Sequence, residues 1–185
     1  MSEPHSFFNL NGRTIMVTGA SSGIGQACVI LLSQLGATVV LVARDESKLR
    51  QTLEQMKGQG HKHFSFDLNQ LGQYEELFEK SSSSGKLDGL VHAAGIGPAI
   101  PLQALSLEMM SKVMTINYYA FLELMRWFSK KKYSTGGSAV GISSVSGVVG
   151  WQGVSLYGGS KAAMNSSVRS LAIELAPKKI RVNSV

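Results

Sequence analysis

Short, apolar, β-branched runs recur along the chain, and the stretches between them carry their apolar residues at helical rather than alternating spacing. The runs predict strands at Thr14–Val17, Thr38–Ala43, His63–Asp67, Gly89–Ala93, Ser138–Ser143 and Arg181–Val185. Helices are predicted between them at Gly23–Leu35, Glu46–Lys57, Gln70–Lys80, Ser106–Lys130 and Val154–Ala176, the last stopped by Pro177, whose ring cannot continue a helix. Strands separated by helices pair in parallel through right-handed crossovers. The expected fold is a doubly wound α/β sheet of six strands in the order 3-2-1-4-5-6, forming one domain over residues 1–185. Residues 1–12 read as a short arm, and Ser81-Ser82-Ser83-Ser84-Gly85 as a surface loop rather than a linker.

The fourth helix departs from the amphipathic pattern. Met110, Val113, Met114, Ile116, Tyr119, Phe121, Leu122, Leu124, Met125, Trp127 and Phe128 leave it little polar face, so it needs cover on two sides. One side is assigned to the sheet. The other falls to a second subunit or to another helix of the same chain.

Composition excludes several classes. The 185 residues, 44% of them apolar, suffice for one substantial core, and a single cysteine, Cys28, rules out an internal disulfide framework. No run approaches the roughly 18 uninterrupted apolar residues of a membrane span, and Met1–Leu10 lacks the features of a signal peptide. A cytoplasmic location without a membrane partner is expected. The net charge of +6 is concentrated most densely in Lys130-Lys131-Lys132, where cations suit the C-terminal end of a helix, and no nucleic-acid partner is expected. His61 and His63 could share one face of a strand, but without further ligands in the sequence no metal site is expected.

The first strand runs into Thr18-Gly19-Ala20-Ser21-Ser22-Gly23-Ile24-Gly25, and a helix follows at once. Glycines at these places allow a tight turn and a close backbone approach, while the free N–H groups of the helix start attract phosphate. That is the geometry of a Rossmann-like dinucleotide site, although a tight strand-to-helix turn can need glycines for itself. Arg44-Asp45 closes the second strand where an adenosine ribose would be read. An arginine there grips a 2′-phosphate, whereas an acid holds a 2′-hydroxyl. Arg44 comes first, which favours NADP(H) over NAD(H), with Asp45 alternatively capping the next helix. Asp67, ending the third strand, is placed to accept from an adenine amino group or is an ordinary strand-end aspartate.

Further along, Tyr157-Gly158-Gly159-Ser160-Lys161 sets a phenol and an ammonium four residues apart, on one helix face. A nearby positive charge makes a phenol more acidic and so a usable proton donor and acceptor. Ile142-Ser143-Ser144-Val145-Ser146-Gly147 follows the fifth strand, at the sheet edge where open α/β folds bind ligands.

The glycine loop, His92-Ala93-Ala94-Gly95 after the fourth strand, Asn117, Ser144, and Tyr157 with Lys161 thirteen residues beyond that serine together resemble the short-chain dehydrogenase/reductase family. The resemblance covers Asn9 to Val185 and looks most like the branch that includes 3-oxoacyl-acyl-carrier-protein reductases. It implies that Tyr157 exchanges a proton with the substrate oxygen, that Ser144 polarises that oxygen, and that Lys161 holds the nicotinamide ribose. Asn117 would anchor a water. Gly19, Ser21, Ser22, Gly23, Ile24, Gly25, Arg44, Asp67, Ala94 and Gly95 would hold the cofactor together with Tyr157 and Lys161. The implied reaction interconverts a ketone and a secondary alcohol, on a small-molecule or acyl-carrier-linked substrate. The implied assembly is a dimer or tetramer built through the helices around Ser106–Lys130 and Val154–Ala176.

Two departures from the family pattern carry consequences. His92 and Ala93 stand where relatives commonly have two asparagines, removing an amide tie between strands, and His92 is expected to be satisfied by backbone rather than to act as an acid or base. Relatives also continue past the sixth strand into a Pro-Gly turn, a substrate-covering segment, a helix and a seventh strand, so a truncated chain is expected. With that segment missing, two alternatives stand beside the oxidoreductase: a nucleotide-binding or interaction protein without turnover, and an epimerase or dehydratase with bound NAD(P).

Overall fold

Residues 8–185 are described by a computed structural model, so residues 1–7 of the expected arm lie outside the described residues. Strands β1 (Thr14–Thr18), β2 (Thr38–Ala43), β3 (Lys62–Ser65), β4 (Gly89–His92), β5 (Gly137–Gly141) and β6 (Ile180–Ser184) form one parallel sheet in the order β3-β2-β1-β4-β5-β6. The order is the expected one, and the strand bounds agree to within two residues.

Alternation along the strands splits the interior in two. Ile15, Val17, Val39 and Leu41 face helices α1 (Gly23–Gln34) and α2 (Glu46–Leu53) in a smaller core. Met16, Val40, Val42, Leu90 and Ala139 point the other way, into a larger core shared with α3 (Tyr74–Ser81), α5 (Ala120–Phe128) and α6 (Ser155–Leu175). Between β1 and β4 the chain reverses its direction of travel across the sheet. A crevice opens at such a point, outside the carboxyl ends of the strands.

Three helices differ from expectation. The third, expected from Gln70, opens as a 3-10 turn at Leu71–Gln73 and is α-helical only from Tyr74. The α2 helix, capped by Asp45 accepting from the Lys48 N–H at 3.0 Å, ends at Leu53 rather than Lys57. Beyond it the Lys57 N–H is held by the Ser33 hydroxyl of α1 at 3.0 Å, which turns the chain out of helical geometry. The long fourth helix is not uniform: α4 (Leu107–Met114) passes through a π turn at Thr115–Tyr119 before continuing as α5.

Cover for that apolar helix comes from within the chain. Phe121, Leu124, Met125 and Phe128 are buried in one cluster with Leu77 and Phe78 of α3 and Met164 and Val168 of α6. The Tyr118 hydroxyl lies 3.0 Å from that of Ser167 on α6. At the helix end, Lys130 sits 3.2 Å above the Trp127 ring and Lys132 pairs with Glu79 at 2.7 Å. Among the described residues no helix is long and apolar enough to cross a membrane.

Candidate active site

The glycine turn is built by sterics. Gly19 has φ +71°, and a Cβ there would come within 2.7 Å of the Ala94 backbone nitrogen, so only glycine lets the β1 turn close onto the β4 turn. A Cβ at Gly25 would strike the Gly19 carbonyl, which fixes how closely α1 starts against that turn. Ser22 stands at the N-cap of α1 in extended conformation without using its side chain on the helix, and no acidic residue lies in the first turn. The N–H groups of this helix start are therefore available to an anion.

The turn opens into a cleft of about 810 Å³. Gly19, Ser21, Ser22, Gly23, Ile24, Arg44, Asp67, Ala94 and Gly95 all line it. Asp67 uses Oδ1 to accept from the backbone and side-chain amides of Asn69, at 3.0 and 2.8 Å. Asp45 is occupied as the α2 cap. Arg44 is exposed, and its guanidinium forms no ion pair among the described residues.

Gly95 joins this cleft to a second group of side chains. A Cβ there would lie 3.3 Å from Asn117 Oδ1 and 3.5 Å from Lys161 Nζ. Asn117 is fully buried, and its amide grips the backbone of Ile96 with both ends, accepting from Ile96 N–H and donating to Ile96 C=O at 2.9 Å each. Its Nδ2 also donates to Ser160 Oγ at 2.9 Å, and that hydroxyl donates to the Tyr157 carbonyl at 2.7 Å. One amide thus locks the β4 turn to the first turns of α6.

Tyr157 and Lys161 share one face of α6, with the Lys161 ammonium 5.8 Å from the centre of the tyrosine ring. Lys161 Nζ donates to the Ile142 carbonyl at the end of β5, at 2.7 Å. Burial pushes its pKa down to about 8. The Ser144 hydroxyl accepts from the Ser146 N–H at 3.1 Å, which leaves its own proton free to donate. Its turn is brought to the tyrosine by a close approach: a Cβ at Gly158 would lie 2.5 Å from the Ser146 carbonyl oxygen.

The short chain dehydrogenase family model matches residues 13–185. The chain belongs to this family. It is 41% identical over 189 residues to a tropinone reductase homolog of Arabidopsis thaliana, covering 100% of this chain and 70% of that protein. Carbonyl reductase family member 4 of Danio rerio is 35% identical over 175 residues, covering 94% and 73%. Among solved structures, 4-hydroxyisoleucine dehydrogenase complexed with NADH superposes with a TM-score of 0.83 at 30% identity, covering 94% of this chain and 74% of that one. This short-chain dehydrogenase is a nicotinamide-dependent oxidoreductase, and neither the non-catalytic nor the epimerase alternative is favoured.

Not every contributor to the site was visible in the dehydrogenase's sequence. Lys48, Phe66 and Ile116 also line the cleft. Lys48 follows Arg44 by four residues, across the start of α2, a spacing that could have signalled a paired cation. Ser160, the relay between Asn117 and α6, lay inside the Tyr-Lys motif without being singled out.

His92 is fully buried, and its Nδ1 lies 2.8 Å from the Thr18 hydroxyl, so a side chain of β1 holds one of its two ring nitrogens. This bond restores a tie between β1 and β4 that the absent asparagines would otherwise leave out. Burial pushes the His92 pKa down to about 3, which keeps the ring neutral and unsuited to acid–base work near pH 7. A buried neutral imidazole also links folding to pH. The unfolded chain takes up the proton below about pH 6.5 and the folded one does not, so this contribution to stability is present above pH 6.5 and drains away towards pH 3. In His92→Asn, whose amide can still meet Thr18, the fall in unfolding free energy over that window should be shallower by about 1 kcal/mol per pH unit. Denaturant titrations at several pH values check it.

Among the described residues, the other imidazoles do not converge. His61 Nδ1 accepts from the Val39 N–H at 3.1 Å, whereas His63 pairs with Glu46 at 2.8 Å. Burial raises the pKa of the Cys28 thiol, consistent with its reading as a small, unreactive hydrophobe.

Proposed function

We propose that this dehydrogenase interconverts a ketone and a secondary alcohol, with Tyr157 as the proton donor and acceptor, Ser144 as the hydrogen-bond donor to the substrate oxygen, and NADP(H) as the preferred cofactor. The carrying observation is the convergence at Gly95, where the dinucleotide-shaped cleft meets Asn117 and Lys161 on the tyrosine's helix. The cleft fits a dinucleotide by its free helix N-terminus, by backbone approach that a Cβ at Gly19 would block, and by its volume. When bound, the nicotinamide supplies the hydride chemistry.

The chain's own groups divide the remaining work. Gly19, Ser21, Ser22, Gly23 and Ile24 would hold the phosphates, with Gly25 keeping the helix close behind them. Asp67 would meet the adenine, and Ala94 and Gly95 would floor the ribose side. Lys161 would hold the nicotinamide ribose and stabilise negative charge arising on the phenol. Tyr157 gives its proton to the carbonyl oxygen as an alkoxide develops, while the Ser144 hydroxyl stabilises the same oxygen. With its amide engaged by Ile96 and Ser160, Asn117 acts here as the clamp that sets Gly95 and Tyr157 in register. Oxidation of reduced nicotinamide on adding ketones tests the whole reading. Binding without oxidation over a broad ketone panel would overturn it.

Cofactor preference rests on Arg44, unpaired in the cleft; Lys48 and Asp45 line it as well, with the Asp45 Oδ1 held as the α2 cap and its Oδ2 3.9 Å from the Lys48 ammonium. Loss of a charge-assisted hydrogen bond to a 2′-phosphate costs about 1.5–3 kcal/mol. Arg44→Ala should therefore raise the Kd for NADPH about tenfold to a hundredfold and leave that for NADH within about twofold, as read by titration of cofactor fluorescence.

A homo-oligomer through the α4–α5 segment and α6 is also proposed. Tyr119 and Ile173, on these elements, are 44% and 79% exposed despite their apolar bulk. Sedimentation showing only monomer at micromolar concentration would remove this part.

A further inference from the structure

His92 is fully buried beside the site, and the proposed reaction gives it no part. It stands on β4 four residues before Ile96, whose backbone the Asn117 amide grips. Its ring meets three segments of the site at once. Nδ1 lies 2.8 Å from Thr18 Oγ1, at the end of β1 where the glycine turn begins. The same hydroxyl oxygen accepts from the Ala94 N–H of the β4 turn, over a long 3.5 Å. The ring also lies against the π turn, where the Ile116 and Asn117 backbones act on it as hydrogen-bond acceptors and the Phe121 ring centre is 6.0 Å away.

The contact with the π turn pairs a spare donor with a spare acceptor. His92 Nε2 is buried and makes no hydrogen bond of ordinary geometry among the described residues. At Thr115–Tyr119 the helix changes from i+4 to i+5 backbone bonding, and such a change of register leaves a carbonyl oxygen short of its usual donor. Buried polar groups without partners are rare and costly, so the two gain by meeting.

The ends of this chain of contacts set its polarity. The Ala94 N–H can only donate, and carbonyl oxygens can only accept. Between them the Thr18 hydroxyl accepts from Ala94 and donates to Nδ1, which puts the imidazole proton on Nε2. The opposite tautomer would deprive the Thr18 proton of that acceptor and turn the Nε2 lone pair towards carbonyl oxygens.

We propose that His92, as its Nε2–H tautomer, is a positioning residue for the reaction: its N–H holds the π-turn backbone, so that Asn117 is fixed through its main chain by His92 and through its amide by Ile96 and Ser160. The proposal rests on the Tyr157 reading and names a residue that acts on that site through Asn117. Asn117 in turn stands against Gly95 and ties the first turns of α6, where Tyr157 and Lys161 lie. Without the imidazole donor the π turn is free to shift, and a misplacement of about 1 Å at the reacting groups costs up to about a hundredfold in rate.

Two variants and one spectrum test it, with NADPH and a ketone that the parent reduces. His92→Phe keeps a ring beside Phe121 and loses both hydrogen bonds, whereas His92→Asn keeps one acceptor for Thr18 and one donor for the π turn. His92→Phe should lower kcat about tenfold to a hundredfold while KM and the Kd for NADPH stay within about threefold of the parent. His92→Asn should bring kcat back to within about threefold of the parent, which loss of packing alone does not predict. In the parent labelled at its histidine nitrogens, the NMR signals that vanish in His92→Asn should show a protonated Nε2 and an unprotonated Nδ1. That spectrum requires neither turnover nor a folded His92→Phe. Protonation at Nδ1 overturns the proposal, as does a folded His92→Phe with kcat within twofold of the parent, or an equal loss of kcat in both variants. A parent protein that binds NADPH and reduces no ketone overturns the Tyr157 reading instead, and the positioning role falls with it.

Discussion

Tyr157→Phe is expected to lower kcat by about a hundredfold to ten-thousandfold, the range that a positioned proton donor contributes. The phenylalanine ring fills the same half-buried place, and the contacts through Ser160 are made by the Tyr157 backbone carbonyl, which the substitution leaves alone. Cofactor affinity and the thermal unfolding midpoint should therefore stay near those of the parent. Turnover within tenfold of the parent would mean that the proton comes from elsewhere. Because the loss sits in a step of the reaction and not in binding, KM should change far less than kcat.

A second large effect is expected at Lys161. Its ammonium is buried, 5.8 Å from the tyrosine ring centre, and its pKa is pushed down to about 8 by that burial. Lys161→Met should reduce kcat/KM by about a hundredfold or more, since on the proposed reading it removes the cation that supports charge arising on the phenol. The parent's kcat/KM should fall as pH rises through about 8, where the ammonium loses its proton, and the variant's profile should lack that limb. Stability moves the opposite way. Between about pH 8 and the ordinary lysine value of 10.5 the unfolded chain holds a proton that the folded one has released, so unfolding free energy from this group rises with pH over that window. A variant with lower activity and no lower stability at pH 7 would fit both statements. If the alkaline limb persists in Lys161→Met, another group is responsible for it.

Local pattern carried most of the fold. The runs at Thr14 and Thr38 have enough β-branched, doubly buried residues to be read without tertiary information, and Gly19, Gly23 and Gly25 mark the turn between strand and helix. What stayed hidden depended on distant partners. The π turn at Thr115–Tyr119 lies in a stretch apolar on nearly every side, where no helical period distinguishes a regular turn from a widened one. Its buried polar residue, Asn117, meets Ile96 and Ser160, which are 21 and 43 residues away. Beyond α2, Lys57 is held by Ser33, 24 residues earlier.

The site divides along the same line. Residues of the glycine turn and Arg44 line one cleft, and Tyr157 and Lys161 share one helix face, arrangements that neighbours in the sequence make legible. The Thr18 partner of His92, 74 residues away on another strand, is invisible in the local sequence. Lys48 looks like any solvated helix residue until the cleft beside Arg44 is seen. The apolar helix was open to two kinds of cover, and only the packed positions of Phe78 and Val168 show that α3 and α6 provide it.

The account stands most directly on one isotope experiment. Reduced nicotinamide deuterated at the ring carbon that donates hydride is supplied with an uncharged ketone, and the alcohol is analysed for label. Deuterium on the carbinol carbon, formed by the parent and reduced in rate at least a hundredfold in Tyr157→Phe, is the predicted result. Alcohol formed without label, or formed equally fast by both proteins, would contradict the joined cleft and tyrosine site.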